Sequence, residues 1–242
     1  MTPPDPTQTV RFTLLKGRYL LESELGRGGF GITYLATDRD VASRKVVVKI
    51  LNERRALDSW YGKKFRGEME ALARIDHPNV VGVIDFGESE AGQQFLVMQF
   101  IPGGTLRKTI ERQGLPLPAA AEIVRQIGSA LTAAHEAGVI HRDVKPDNIM
   151  TRATPEGGYQ VKLIDFGVAT LFAGDDGSAT ATISGTWVYM APEQFEGKSS
   201  PASDIYQMGV VAYEMVTGGV PFQATHPAGV ALQQRDGIRA RP

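Results

Sequence analysis

His141, Arg142, Asp143, Lys145, Asp147 and Asn148 crowd into the ten residues HRDVKPDNIM (His141–Met150). An acid, a cation and an amide set so close together are the side chains of proton transfer and of charge neutralisation. A solvated turn accounts equally well for the residue types, because Asp, Asn and Pro are ordinary turn formers. It does not account for their order, so the other chemistry-bearing stretches decide between the two readings.

The stretch GRGGFG (Gly26–Gly31) fits G-x-G-x-x-G. A dinucleotide-binding loop of this form precedes a helix, whereas here the β-branched and aromatic run ITYLATD follows, which predicts a loop between two strands. Without a Cβ in the way, such a hairpin can fold closely over phosphates; a plain glycine-rich hairpin is the alternative. Then come VVVK, ending in Lys49, a helix carrying Glu68, the HRDVKPDN stretch, LIDFG (Leu163–Gly167) and YMAPE (Tyr189–Glu193). Singly each has a plain explanation: a strand-end lysine, a solvated glutamate, a turn-forming Asp165. The run EGKSS contains Gly-Lys-Ser, but Pro192 stands where a phosphate loop of the G-x-x-x-x-G-K type needs glycine.

The elements that must position these residues change character along the chain. Residues 1–17, rich in Pro and Thr, read as a flexible leader. Residues 18–100 are mostly short strands (YLLESEL, FGITYLATD, KVVVKIL, VVGVIDFGE, QFLVMQFI), with one helix placing Phe65, Met69, Leu72 and Ala73 on one face. Residues 101–242 are mostly helical. An Ala-rich helix stops at Gly138, another covers Ser203–Thr217, and a short helical piece lies near Gln194. The join lies near Met98–Gly104, and AGDDGSATATISG reads as a long loop of the functional kind. With 26 basic and 27 acidic residues, the net charge of −1 offers no footprint for nucleic acid. Cysteine is absent, which excludes disulfides and thiolate metal sites. There is no signal peptide and no apolar run of the ~20 residues that a membrane span needs. The expected setting is cytoplasmic, alone or as the cytoplasmic part of a longer, membrane-anchored protein.

Taken in order and spacing, these motifs resemble the protein kinase family from about Tyr19 to Phe222, and GRGGFGITYLA looks like the bacterial kinases of eukaryotic type. The resemblance implies an α+β, two-lobed fold: a small β-rich N-lobe with one key helix, and a larger, mostly helical C-lobe whose last helices are missing. It implies ATP and Mg²⁺ as cofactors. Asp143 is then the base or orienting group and Lys145 steadies the γ-phosphate, while Asn148 and Asp165 hold the metal. Gly26, Gly28 and Gly31 cover the phosphates. Lys49 grips the α- and β-phosphates and is held by Glu68, with Glu70 a competing partner two residues on. Thr33 and Val47 lie above adenine and Met150 below it, backbone groups of Gln99 and Ile101 read its edge, and Met98 guards the back. Thr33 and Val47 depart from the commoner Val and Ala; Thr keeps the branched shape, and Val47 narrows the roof, a small effect of about 1–3 kcal/mol if the fit is tight. His141, with Phe166, Leu72 and Val83, matches the apolar stack of active kinases, and Asp204 matches the anchor of the catalytic loop.

Lys145 and Thr186 are similar to the Ser/Thr group rather than to Tyr kinases, so protein Ser/Thr hydroxyls are the implied acceptors. Arg142 before Asp143 implies control by a phosphorylated loop, since an added phosphate of about −2 charge can pair with it. Thr180 and Thr182, then Ser178 and Ser184, are the candidate sites, reached through a transient homodimer that phosphorylates in trans. The family arginine that pairs with Glu193 has no match, because Arg235, Arg239 and Arg241 arrive too soon; an unpaired buried Glu193 would cost about 3–5 kcal/mol. A nucleotide-binding or scaffolding domain of little activity is therefore the second reading. A small-molecule kinase is disfavoured by Thr186 and the APE segment.

Overall fold

In the computed structural model, the described residues are 14–28, 31–51, 59–90, 92–110, 114–155, 157–166 and 186–237. The chain forms two compact units, one of residues 1–62 with 83–100, the other of residues 63–82 with 101–242.

The first unit is one antiparallel sheet. Its strands are β1 (Leu14–Leu15), β2 (Tyr19–Gly28), β3 (Gly31–Asp38), β4 (Arg44–Leu51), β5 (Val83–Glu88) and β6 (Gln94–Gln99), in the order β1-β2-β3-β4-β6-β5. Leu14 and Leu15, read from composition as leader, pair with Leu20 and Tyr19, and Leu15 is buried. The period of two divides each strand between two faces. Tyr19, Leu21, Ala36, Val46, Val48, Phe95 and Val97 form the core on one of them. Cross-strand partners share a face, so the pairs Thr33↔Lys49 and Val47↔Met98 stand on the other. A bidentate Arg18–Asp38 pair at 2.8 Å closes the β2 end of the sheet. The Tyr19 hydroxyl donates to Asp85 at 2.9 Å.

In the second unit come α1 (Ser59–Ala73), whose bounds reach back into the first, α2 (Leu106–Thr109), α3 (Leu117–Glu136), α4 (Pro201–Thr217), α5 (Pro227–Asp236) and a small sheet of β7 (Gly104–Thr105), β8 (Ile149–Ala153) and β9 (Tyr159–Leu163). α3 buries Ala120, Ile123, Ile127, Ala130, Leu131 and Ala134, the stripe that its periodicity predicts. It ends where Gly138 takes φ +75°, letting the N–H of Val139 turn back to the Ala134 carbonyl at 2.9 Å. On α1, Met69 and Leu72 are buried, whereas Ala73 is exposed.

Residues 63–82, expected in the first lobe, group with the second unit for a chemical reason. His77 bonds Ser129 at 3.0 Å, and the Asn79 amide donates to Gln126 Oε1 at 2.9 Å and to the Val161 carbonyl at 2.8 Å. Gln126 also accepts from the Val161 N–H at 2.9 Å and donates to the Tyr159 carbonyl at 2.7 Å. One buried amide thus ties α3, β9 and the segment after α1 together. Gln126→Leu leaves these partners unsatisfied at about 1–3 kcal/mol each, and we expect a loss of at least about 2 kcal/mol in a urea titration.

Candidate active site

Position 31 admits no side chain. A Cβ on Gly31 would lie 2.1 Å from the Ile50 carbonyl oxygen, whereas at Gly26 and Gly28 it would meet nothing within 4 Å. The first glycines leave open space above the hairpin, and the third lets β3 close on β4. Gly28 pairs with Gly31 and Gly26 with Thr33, so the loop joins two strands of one hairpin. Thr33, Val47, Lys49 and Met98 then line the sheet face opposite the core, with Gln99 at the end of β6. The first unit therefore brings Thr33, Val47, Lys49 and Met98 together on one side.

The second unit carries the remaining residues, and its centre is Asp204 of α4, which is 0% exposed. Oδ1 accepts the Arg142 N–H at 2.7 Å, and Oδ2 accepts the His141 N–H at 2.8 Å and lies 2.8 Å from His135 Nε2. Bonds to an ionised group contribute about 1.5–3 kcal/mol each. They offset the left-handed φ of +67° at Arg142, a conformation that costs about 1–3 kcal/mol away from glycine. The Arg142 carbonyl accepts from Gln194 Nε2 at 2.9 Å and Gln207 Nε2 at 3.1 Å, and Gln207 Oε1 takes the Val144 N–H at 2.9 Å.

That turn presents the Asp143 carboxylate. Lys145 Nζ stands 2.8 Å from Asp143 Oδ2, and the Asn148 amide donates at 2.8 Å both to that oxygen and to the Asp143 carbonyl. The Asn148 carbonyl in turn accepts the Ile164 N–H at 3.0 Å, which brings the strand end bearing Asp165 alongside. Asp165 has φ +59°, a second strained residue at this point. Met150 pairs with Thr105 and Lys162 in the small sheet, and Ile101 opens the segment before β7.

Asn148 spends its amide hydrogens on Asp143, so its Oδ1 takes no part in those bonds. An amide oxygen and the Asp165 carboxylate are the oxygen donor types that a hard cation such as Mg²⁺ takes.

His141 is fully buried against Phe166, ring centroids 4.5 Å apart. Burial pushes its imidazole below the usual range, which keeps it neutral. Nδ1 accepts the Asp143 N–H at 3.3 Å, leaving Nε2 to donate to the Ile164 carbonyl at 3.0 Å. It is a fixed strut between the two loops. Glu68 accepts from Arg142 Nη1 at 3.0 and 3.2 Å, a partner the sequence does not announce, and Glu70 is exposed. Glu193, expected to lack its arginine, accepts the Ser203 hydroxyl at 2.5 Å, and Arg235 lies 3.6 Å from Asp236. Ser178, Thr180, Thr182, Ser184, Arg239, Arg241 and the Thr186 side chain lie outside the described residues.

Gln194 and Gln207 are the supports that sequence reasoning missed. One signal could have found them on α4: Asp204, Gln207 and Glu214 occupy stripe positions, spaced with Val210 and Val211, where a buried helix face expects apolar residues.

Residues 19–240 match the sequence profile of the protein kinase domain. The serine/threonine-protein kinase PknL of Mycobacterium tuberculosis is 38% identical over 96% of this chain and 56% of that protein. PknA of the same species is 40% identical over 90% and 51%. The chain thus spans about half the length of these curated relatives. The crystal structure of the Mycobacterium tuberculosis PknI kinase domain superposes with a TM-score of 0.69 at 26% identity, covering 88% of this chain and 79% of that one. With residues 19–240 matched by that profile, this chain belongs to the protein kinase family.

Proposed function

We propose that the chain transfers the γ-phosphoryl group of ATP to Ser and Thr hydroxyls of proteins, including hydroxyls of its own segment between Asp165 and Thr186. The observation that carries this reading is the Asp143 carboxylate, held at 2.8 Å by both Lys145 and Asn148. Phosphoryl transfer asks a protein for positioning and charge compensation rather than for a covalent partner. Asp143 orients the acceptor hydroxyl and receives its proton; Lys145 compensates charge on the moving group. Asn148 and Asp165 would hold Mg²⁺, whose charge would compensate that of the phosphate oxygens. Lys49 holds the α- and β-phosphates beneath the hairpin of Gly26, Gly28 and Gly31. Thr33, Val47, Met98, Met150 and the backbone groups of Gln99 and Ile101 are the residues that would take adenine.

Protein acceptors follow from the relatives PknL and PknA, both serine/threonine-protein kinases, and a cytoplasmic setting follows from ATP as donor. No helix among the described residues is long and apolar enough to cross a membrane. Autophosphorylation would proceed in trans through a transient homodimer. A second reading, a nucleotide-binding domain of low catalytic output, draws on one observation. The Glu68 carboxylate, which would hold Lys49, is bonded to Arg142.

Transfer of labelled γ-phosphate, with Mg²⁺, to the chain and to a generic Ser/Thr protein distinguishes the two. We expect incorporation on serine and threonine, reduced by on the order of 10²–10⁴ in Asp143→Asn. ATP should still raise the melting temperature of the variant. A wild-type chain that gains stability from ATP yet transfers nothing sides with the second reading.

A further inference from the structure

Arg107, on α2, belongs to none of the motifs above. Its Nη1 bonds Glu214 Oε1 at 2.5 Å, and Nη2 donates to the Tyr189 hydroxyl. That hydroxyl donates onward to Glu214 Oε2 at 2.6 Å, closing a ring of three side chains. On its other edge, Nε lies 3.5 Å from Asp147 Oδ2. The ring is buried on its inner side, where Tyr189 is 4% and the Glu214 side chain 8% exposed. It is open on its outer side, where the Arg107 and Asp147 side chains are 38% and 51% exposed.

A buried Glu214 needs a countercharge, and Arg107 supplies it. Burial works against the guanidinium's charge, but its bonds to Tyr189 and Glu214 outweigh that effect and hold it charged; burial, with Glu214, pushes the Tyr189 phenol up, so that it stays a donor. Stability alone would ask for no more. A planar fork with five donors can also bridge separate segments, and this one joins α2 and α4 to two short pieces that bear on the chemistry. Tyr189 ends the turn Thr186–Tyr189, which leads into Ala191 and Glu193. Asp147 sits in the turn Pro146–Asn148, beside the residue that holds Asp143.

We propose that Arg107 is a positioning residue for the protein acceptor, clamping the segment around Tyr189 to the loop that carries Asp143. This rests on the kinase reading, in which that segment borders the acceptor hydroxyl. Loss of the clamp should then tell on the protein substrate and leave ATP alone.

The test is the double variant Arg107→Met/Glu214→Gln, which leaves no buried charge unpaired and keeps an acceptor for the Tyr189 hydroxyl. Melting temperature, hydrogen exchange over residues 187–194, and steady-state kinetics with a Ser/Thr peptide would be compared with the wild type. We expect similar melting and an unchanged KM for ATP. Exchange over 187–194 should be faster, and kcat/KM for the peptide should fall by roughly 10- to 100-fold, the scale of a small misplacement of reacting groups. Wild-type exchange and wild-type peptide kinetics in the variant would reduce the ring to a fold support and overturn the proposal. A wild-type chain that transfers no phosphate overturns the kinase reading instead; exchange then decides the clamp alone, faster exchange keeping it and unchanged exchange removing it.

Discussion

The carboxylate of Asp204, buried in α4, accepts two successive peptide N–H groups, and the shape of the loop carrying Asp143 depends on it. A chain does not normally turn its N–H groups of His141 and Arg142 to one side, because doing so sets Arg142 in the left-handed region. An anion with no water around it makes that turn favourable. Once it is made, the neighbours follow. His141 points inward to Phe166, the Arg142 carbonyl meets Gln194 and Gln207, and Asp143 emerges between Lys145 and Asn148. His135, on α3, lies against the same carboxylate, so the two long helices share the anchor.

In the first unit the corresponding constraint is parity. A strand can hold a core only with every second residue, so the others are free for chemistry if the register is fixed. Here the pairing Ala36↔Val46 buries one set, and the adjacent Leu35↔Val47 and Thr33↔Lys49 place the other set opposite. A slip of one residue between β3 and β4 would put Lys49 in the core and Val48 on the opposite face. Gly31 guards that register, because its close approach to the Ile50 carbonyl has no room for a side chain.

The candidate site residues stand out in the sequence because they are polar types in a fixed order, each with a motif around it. The strand–glycine loop–strand arrangement and the stop at Gly138 could be read from local pattern, and the Asp204 anchor from the family resemblance. What could not be read depends on tertiary pairing. Gln126, Gln194 and Gln207 look like surface residues until the groups they satisfy are seen. Ser203 meets Glu193 because the turn Pro192–Glu196 packs at the start of α4, which no spacing rule foretells. Residues 63–82 look like part of the β-rich half by chain order, yet His77 and Asn79 bond to α3 and β9. Arg107 escaped notice because its partners lie 40, 82 and 107 residues away along the chain.

The most direct test of this account is the phosphotransfer rate of Asp204→Asn, measured at a temperature where circular dichroism shows the variant folded. An asparagine can accept from only one side and turns an N–H₂ toward the other donor. The account predicts faster exchange at the amides of His141 and Arg142 and a fall in kcat of about 100-fold or more, as expected when reacting groups lose their alignment. A folded variant that keeps both the wild-type exchange and a kcat within about twofold, well short of that alignment effect, would contradict it, and the loop would have to be held by something other than this carboxylate.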